Sequence, residues 1–208
     1  MSLELKIKLL GRDVRVKLSK VAKTLDSYGK FVTRTARAIL QKEGKNATGN
    51  LSESIQHKVV VDKDGNTSVV WAMEGAPYWA FVEKGVKGAM TANKAPDSPF
   101  QFGSGSGEKG TLQPAIRQWI TDKPVEQWQD RKTGRFMSYD GMSFMISRNV
   151  YLHGIAPTPF LEPTVKAQYK RYKKLLESAY TKDIGNAIGT ILEDEASKIV
   201  VEYKLIGN

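Results

Sequence analysis

Two histidines and no cysteine bound the acid–base and metal chemistry open to this 208-residue chain. Without a thiol there is no disulfide framework, no thiolate nucleophile and no zinc–thiolate site. His57 falls near the start of a β-rich run and His153 beside a helix stop at Gly154. Two unlinked imidazoles supply neither a triad nor a metal set, so both read as structural residues. The segment from Gly103 to Gly110 carries Lys109 and invites comparison with a phosphate-binding loop. Gly105 and Gly110 have the right separation, but Thr111 stands where that loop requires lysine, and no apolar strand precedes it. Glu193-Asp194-Glu195 is a carboxylate run whose neighbours point in different directions on a helix, as a solvated face does. Three glycosylation-type triplets, at Asn46, Asn50 and Asn66, have no meaning without an export signal. No catalytic, metal or cofactor site is expected.

What remains is charge and shape. The chain holds 32 Lys+Arg against 22 Asp+Glu, a net of +10, which proposes a polyanion as partner, DNA first. The charge is uneven. Residues 1–48 hold 12 basic and 4 acidic residues, 49–162 hold 12 of each, and 163–208 hold 8 and 6. The excess therefore lies in the segments that read as helical, where basic residues usually form the solvated face. With 40% hydrophobic and 26% charged residues the chain can bury a core, so wholesale disorder is excluded. No apolar run approaches the ~18 residues of a membrane span, and no secretory segment opens the sequence.

The elements follow from periodicity. Leu3, Leu5, Ile7 and Leu9 alternate with polar residues as in a half-buried strand. After a break at Gly11, residues 14–18 alternate again, either as the second arm of a hairpin or as an early helix start. From Ser19, a candidate N-cap, the stripe Val21, Leu25, Tyr28, Val32, Ala36, Ile39 and Leu40 predicts a long helix ending at Gly44. Val59, Val60 and Val61 are joined through Asp64-Gly65 to Val69, Val70 and Trp71, the strongest hairpin signal in the chain. Residues 86–111 are rich in glycine and read as a long flexible loop, ordered against a partner. Short helices follow at Leu112–Ile120, interrupted near Pro124, and at 138–153, capped by Ser138 and stopped by Gly154. Pro163 opens a helix with Val165, Tyr169, Tyr172, Leu176 and Tyr180 inward, and a further amphipathic stretch holds Ile184, Ile188, Ile191 and Leu192. Residues 199–206 read as a strand that would pair with the N-terminal one. The expected class is α+β: long amphipathic helices packed on a small, mostly antiparallel sheet, with a long Gly-rich loop. The expected organisation is one domain over 1–180 and a helix-and-strand extension over 181–208.

Three phrases in order carry more than any one of them. The first is Thr48-Gly49-Asn50-Leu51-Ser52-Glu53-Ser54-Ile55 and the second Tyr78-Trp79-Ala80-Phe81-Val82-Glu83-Lys84-Gly85. The third runs from Gly154 through Pro157-Thr158-Pro159-Phe160-Leu161 to Pro163. Each serves shape on its own terms. Gly49 permits a turn, Leu51 and Ile55 share one side of a helical turn, and Ser54 lies between them. Tyr78, Trp79 and Phe81 read as core or subunit contacts, and Val82 belongs to the same cluster. Glu83 pairs with a base or faces solvent. Phe160 and Leu161, held between prolines, seat the last helix. The series resembles the tail-completion, or minor tail protein Z-like, family of long-tailed bacteriophages over residues 1–180. Val86 stands where that family places threonine.

The resemblance implies a non-enzymatic virion structural protein at the head–tail junction, completing or capping the tail and joining it to the head connector. It implies a homo-oligomeric ring, hexameric to match the tail. The implied partners are the tail tube or tail terminator and the portal-side neck proteins. The implied location is the virion neck, with the host cytoplasm during assembly, and no membrane or cofactor is involved. Non-specific contact with genomic DNA would fall to Lys166, Lys170, Arg171, Lys173 and Lys174. The alternative is a small basic nucleic-acid-binding protein, in which Tyr169 and Tyr172 stack amid those cations.

Overall fold

The computed structural model describes residues 3–9, 12–45, 48–61, 67–105, 110–123 and 125–206. The expected breaks at Gly11, Asp64-Gly65 and Pro124, and Lys109 of the glycine-rich segment, lie outside these residues. The fold is α+β, with two antiparallel two-stranded sheets among long helices. It divides into two compact units. One comprises Met1–Thr33, His57–Trp71 and Val165–Asn208, and the other Arg34–Gln56 and Ala72–Thr164.

The first unit begins with a hairpin. β1 (Glu4–Leu9) pairs with β2 (Arg12–Lys17) in a register running from Glu4 opposite Lys17 to Leu9 opposite Arg12. Residues 14–17 are therefore strand, and Leu18 closes the arm by donating its N–H to Leu3 O at 2.7 Å. The alternation buries Leu3, Val16 and Leu18 and leaves Glu4, Lys6, Asp13, Arg15 and Lys17 exposed. α1 (Ser19–Lys42) turns the expected stripe inward, with Val21, Leu25, Tyr28, Val32, Ala36 and Leu40 buried. The cap is not Ser19. Asp183 Oδ2 accepts the N–H of Lys20 at 2.8 Å and of Val21 at 3.1 Å, supplying from 163 residues away what a local side chain normally gives.

β3 (Ile55–Val61) and β4 (Thr67–Met73) form the second sheet. Val59, Val61 and Val69 pack against the cluster of Leu3, Val16, Leu18, Val21, Leu25 and Ala179. Ile55 is thus the first residue of a strand, not part of the helical turn it was expected to share with Leu51; its backbone is extended at φ −68°, ψ 109°. β-branched residues favour that conformation.

α6 (Glu162–Ile206) is a single helix of 45 residues and passes through residue 180 without a break. The strand expected at 199–206 is therefore helical. Its β-branched residues favour a strand locally, but no proline follows Pro163 to stop the helix. β1 already has its partner in β2. The inward row also differs from the expected one. Thr164, Tyr172, Ala179 and Asp183 are buried and Leu176 half-buried, whereas Tyr169 is 59% exposed. It lies three residues before Tyr172, about 60° of helix round from it, at the margin of the buried face.

The second unit holds α2 (Asn50–Ser54), α3 (Trp79–Lys84), α4 (Leu112–Asp122) and α5 (Tyr139–His153). Leu40, Leu51, Ile55, Ile120, Met142 and Phe160 are its large buried side chains, each worth roughly 1.5–3 kcal/mol on burial. Ser138 caps α5, accepting the Gly141 N–H at 3.1 Å, and Gly154 ends it. Residues 86–105 form no helix but are tied down within the unit. Ala89 and Met90 donate to the carbonyls of Tyr151 and Leu152, satisfying the last turn of α5. Lys87 exchanges backbone hydrogen bonds with Phe100 and Phe102, and Ser98 Oγ donates to Gly85 O at 2.7 Å.

Candidate functional site

The second and third sequence phrases come together in the second unit. α3 presents Glu83, only 4% exposed, to the start of α6. Its Oε2 accepts the N–H of Phe160 at 2.9 Å and of Leu161 at 3.0 Å, and its Oε1 accepts that of Glu162 at 2.9 Å. Neither a basic partner nor solvent, as expected from the sequence, satisfies this carboxylate; three amides at a helix N-terminus do. Thr158 N–H reaches Val82 O at 2.8 Å, and Val86 and Ile155 exchange both backbone hydrogen bonds. The glycines make this approach possible. Gly85 and Gly154 have φ of 68° and 77°. A Cβ on Gly85 would lie 2.5 Å from Ile155 O, and one on Gly154 would overlap Val86 O. Phe160 is fully buried and Leu161 half-buried, as an anchor should be, while Pro157, Pro159 and Pro163 are exposed around them.

The first phrase stands on its own. Gly49 precedes α2 at φ 80°, Leu51 and Ile55 are buried, and Ser54 Oγ donates to Leu51 O. Arg37 Nη2 donates to Ile55 O at 2.9 Å, and Thr48 is exposed. The aromatic cluster is not core within this chain. Tyr78 is 41% and Phe81 44% exposed, and Trp79 and Val82 are half-buried. More exposed apolar side chains follow in the same unit: Trp128, Phe136, Phe144, Met145 and Tyr151.

Sequence reasoning passed over two constellations in the first unit. Asp183 is one, and a carboxylate on the row of Tyr172, Leu176 and Ala179 was the available signal. The other centres on His57, whose Nε2 lies 3.2 Å from Asp26 Oδ1 and whose Nδ1 lies 3.4 Å from Thr33 Oγ1. Asp26 also meets Lys30 Nζ at 2.7 Å. Hydrogen bonds from Lys30 and then His57 hold the Asp26 carboxyl below its usual value. A tautomer with the proton on Nε2 fits both contacts, donating to Asp26 and accepting from Thr33. The order is hydroxyl, imidazole, carboxylate, but Thr33 is 8% exposed and gives a substrate no approach. The group instead fastens β3 to α1, its ring against Gly29, where any Cβ would collide with the imidazole. A glycine inside a long helix was the clue. His153 is exposed at the end of α5. Glu193 and Asp194 are exposed on α6, as a solvated face requires.

Among the described residues no cluster of three His, Asp or Glu could hold a metal ion, and no helix is long and apolar enough to cross a membrane. On the basic segment of α6, Lys166, Lys170, Arg171, Lys173 and Lys174 are all exposed. Arg171 alone of these lines a groove of about 390 Å³ between α1 and α6. A second hollow, about 470 Å³, is lined by Arg117, Ile120, Thr121, Val125, Glu126 and Tyr139 in the second unit, with Arg117 bonded to Asp140 at 3.0 Å. Compared with known protein families, curated proteins and solved structures, the chain matches none.

Proposed function

We propose that this chain is a non-enzymatic structural protein of a long-tailed bacteriophage virion, acting at the head–tail junction as a ring subunit that completes the tail. The observation that carries the reading is the joining of two separated phrases through Glu83. Residues of the Tyr78–Gly85 phrase cap and seat the helix that the Gly154–Pro163 phrase introduces. Their chemistry is consumed in holding shape, as suits a building block. The exposed apolar residues of the second unit, Tyr78, Phe81, Trp128, Phe136, Phe144 and Met145, add support as side chains that a neighbouring subunit could cover. Neighbouring subunits, the tail tube or terminator, and the portal-side neck proteins are the proposed partners.

Native mass spectrometry of the purified chain, alone and with its tail-tube protein, tests the assembly, and immunogold labelling of virions tests the location. Closed rings, sixfold by preference, and label at the neck are the expected results. A chain that stays monomeric with every virion protein and is absent from purified particles overturns the proposal.

A further inference from the structure

α1 and α6 run antiparallel in the first unit, since Lys20 meets Asp183 at one end and Tyr28 Oη donates to Val165 O at the other. Between them lies the groove of about 390 Å³. α1 contributes Lys20, Lys23, Thr24 and Ser27, spaced so that all four share one face. α6 contributes Arg171, Leu175, Ser178 and Lys182, a single row, with Tyr172 and Ala179 as a buried floor. Four cations and the aliphatic hydroxyls of Thr24, Ser27 and Ser178 line it, and no carboxylate does. Asp183, next to Lys182, is buried and turned to the amides of Lys20 and Val21.

We infer that this groove binds the phosphodiester backbone of a nucleic acid, without reading sequence. The stretch from Lys20 to Ser27 covers about 10 Å of helix. That is room for about two or three successive phosphates of one strand. Lys20 and Lys182 stand at one end, Arg171 towards the other and Lys23 between, which makes a row of charges and not a pocket for one anion. Serine and threonine hydroxyls are common phosphate partners. No asparagine, glutamine or carboxylate lines the groove, so the side chains that read adenine and cytosine edges are absent from it. The inference is independent of the ring reading, because a monomer presents the same groove. It also differs from an outward basic stripe: Lys166, Lys170 and Lys173 follow one another along α6 on the side away from its buried row.

Fluorescence anisotropy with a labelled 20-bp duplex of mixed sequence, titrated across salt concentrations, tests it on the full chain. The variant Lys23→Gln with Arg171→Gln is compared with Lys170→Gln with Lys173→Gln, which removes the same charge from the outer face. All four residues are exposed, and circular dichroism verifies the fold. The groove variant is expected to bind at least tenfold more weakly at 50 mM salt, with its log–log salt slope shallower by about 1.8. The outer variant is expected to change by less than threefold. The inference is overturned if the outer variant loses as much as the groove variant, or if the wild type fails to bind the duplex at 50 mM salt. It is equally overturned if inorganic phosphate, at ionic strength matched with chloride, displaces the duplex (a single-anion pocket), or if a poly-glutamate peptide of equal charge competes as well as the unlabelled duplex (an acidic-protein site).

Discussion

Replacing Glu83 removes three hydrogen bonds at once, and the cost can be worked from their surroundings. Phe160 is fully buried, so its amide is left unsatisfied away from water, at about 1–3 kcal/mol. The amides of Leu161 and Glu162 are part-buried, and each loses the net worth of a hydrogen bond, about 0.5–1.5 kcal/mol. The negative charge at the start of α6 contributes a further ~0.3–1 kcal/mol. Glu83→Ala should therefore destabilise by about 2–7 kcal/mol, and a mid-range loss of about 4 kcal/mol lowers Tm by about 10 °C in a chain of this size. Glu83→Gln is the sharper test because it keeps volume and one acceptor oxygen. Its amide group would place a donor against a donor, so about 2 kcal/mol should still be lost. Urea denaturation followed by circular dichroism gives the totals. Hydrogen exchange should show faster exchange of the 160–162 amides. If Glu83→Gln lies within 0.5 kcal/mol of wild type and those amides keep their protection, the cap is not what seats α6.

Three other outcomes follow from the same contacts. Asp183→Ala strips the cap from α1 and should cost about 2 kcal/mol in urea denaturation, with Val21, whose amide is buried, losing exchange protection first. Gly29→Ala would gain about 1 kcal/mol from helix propensity alone, yet it must displace the His57 ring, so net destabilisation is expected; a stabilised variant would disprove the packing. Because Lys30 and His57 hold the folded Asp26 carboxyl below its unfolded value of 3.8, its contribution is present above that pH and is lost as pH falls from there towards the folded value. The gap in Tm between wild type and Asp26→Asn should therefore narrow on acidification below about pH 4. Asp26 is nearly half exposed, which keeps the effect small.

The local parts of the fold were legible and the tertiary parts were not. The stripe of α1, the β3–β4 hairpin, and the Ser138 and Gly154 ends of α5 depend on residues within a few positions of one another, and periodicity and capping report them. Local preference misled at residues 199–206, where β-branched residues suggest a strand but sit in an unbroken helix. Tyr169 shares the expected face with Tyr172 and Leu176 but sits at its margin, where periodicity does not distinguish covered from open positions. The three phrases were visible as text. That Glu83 of one would meet amides 77 to 79 residues later in another was not, because nothing local marks a carboxylate as a cap for a distant helix. The Asp26–His57–Thr33 line was hidden for the same reason, with its histidine on a strand and its partners a helix away.

The Asp183 cap sets an order of events during synthesis. α1 emerges early, but the carboxylate that closes its first turn is made 163 residues after Lys20. At ~5–20 residues per second a ribosome needs roughly 8–33 s to reach it. Through that interval the opening of α1 has bare amides and no distant anchor. A nascent-chain stall placed before residue 183 would hold the protein in that condition, open to chaperones. The first helix translated stays uncapped until the last one is being made.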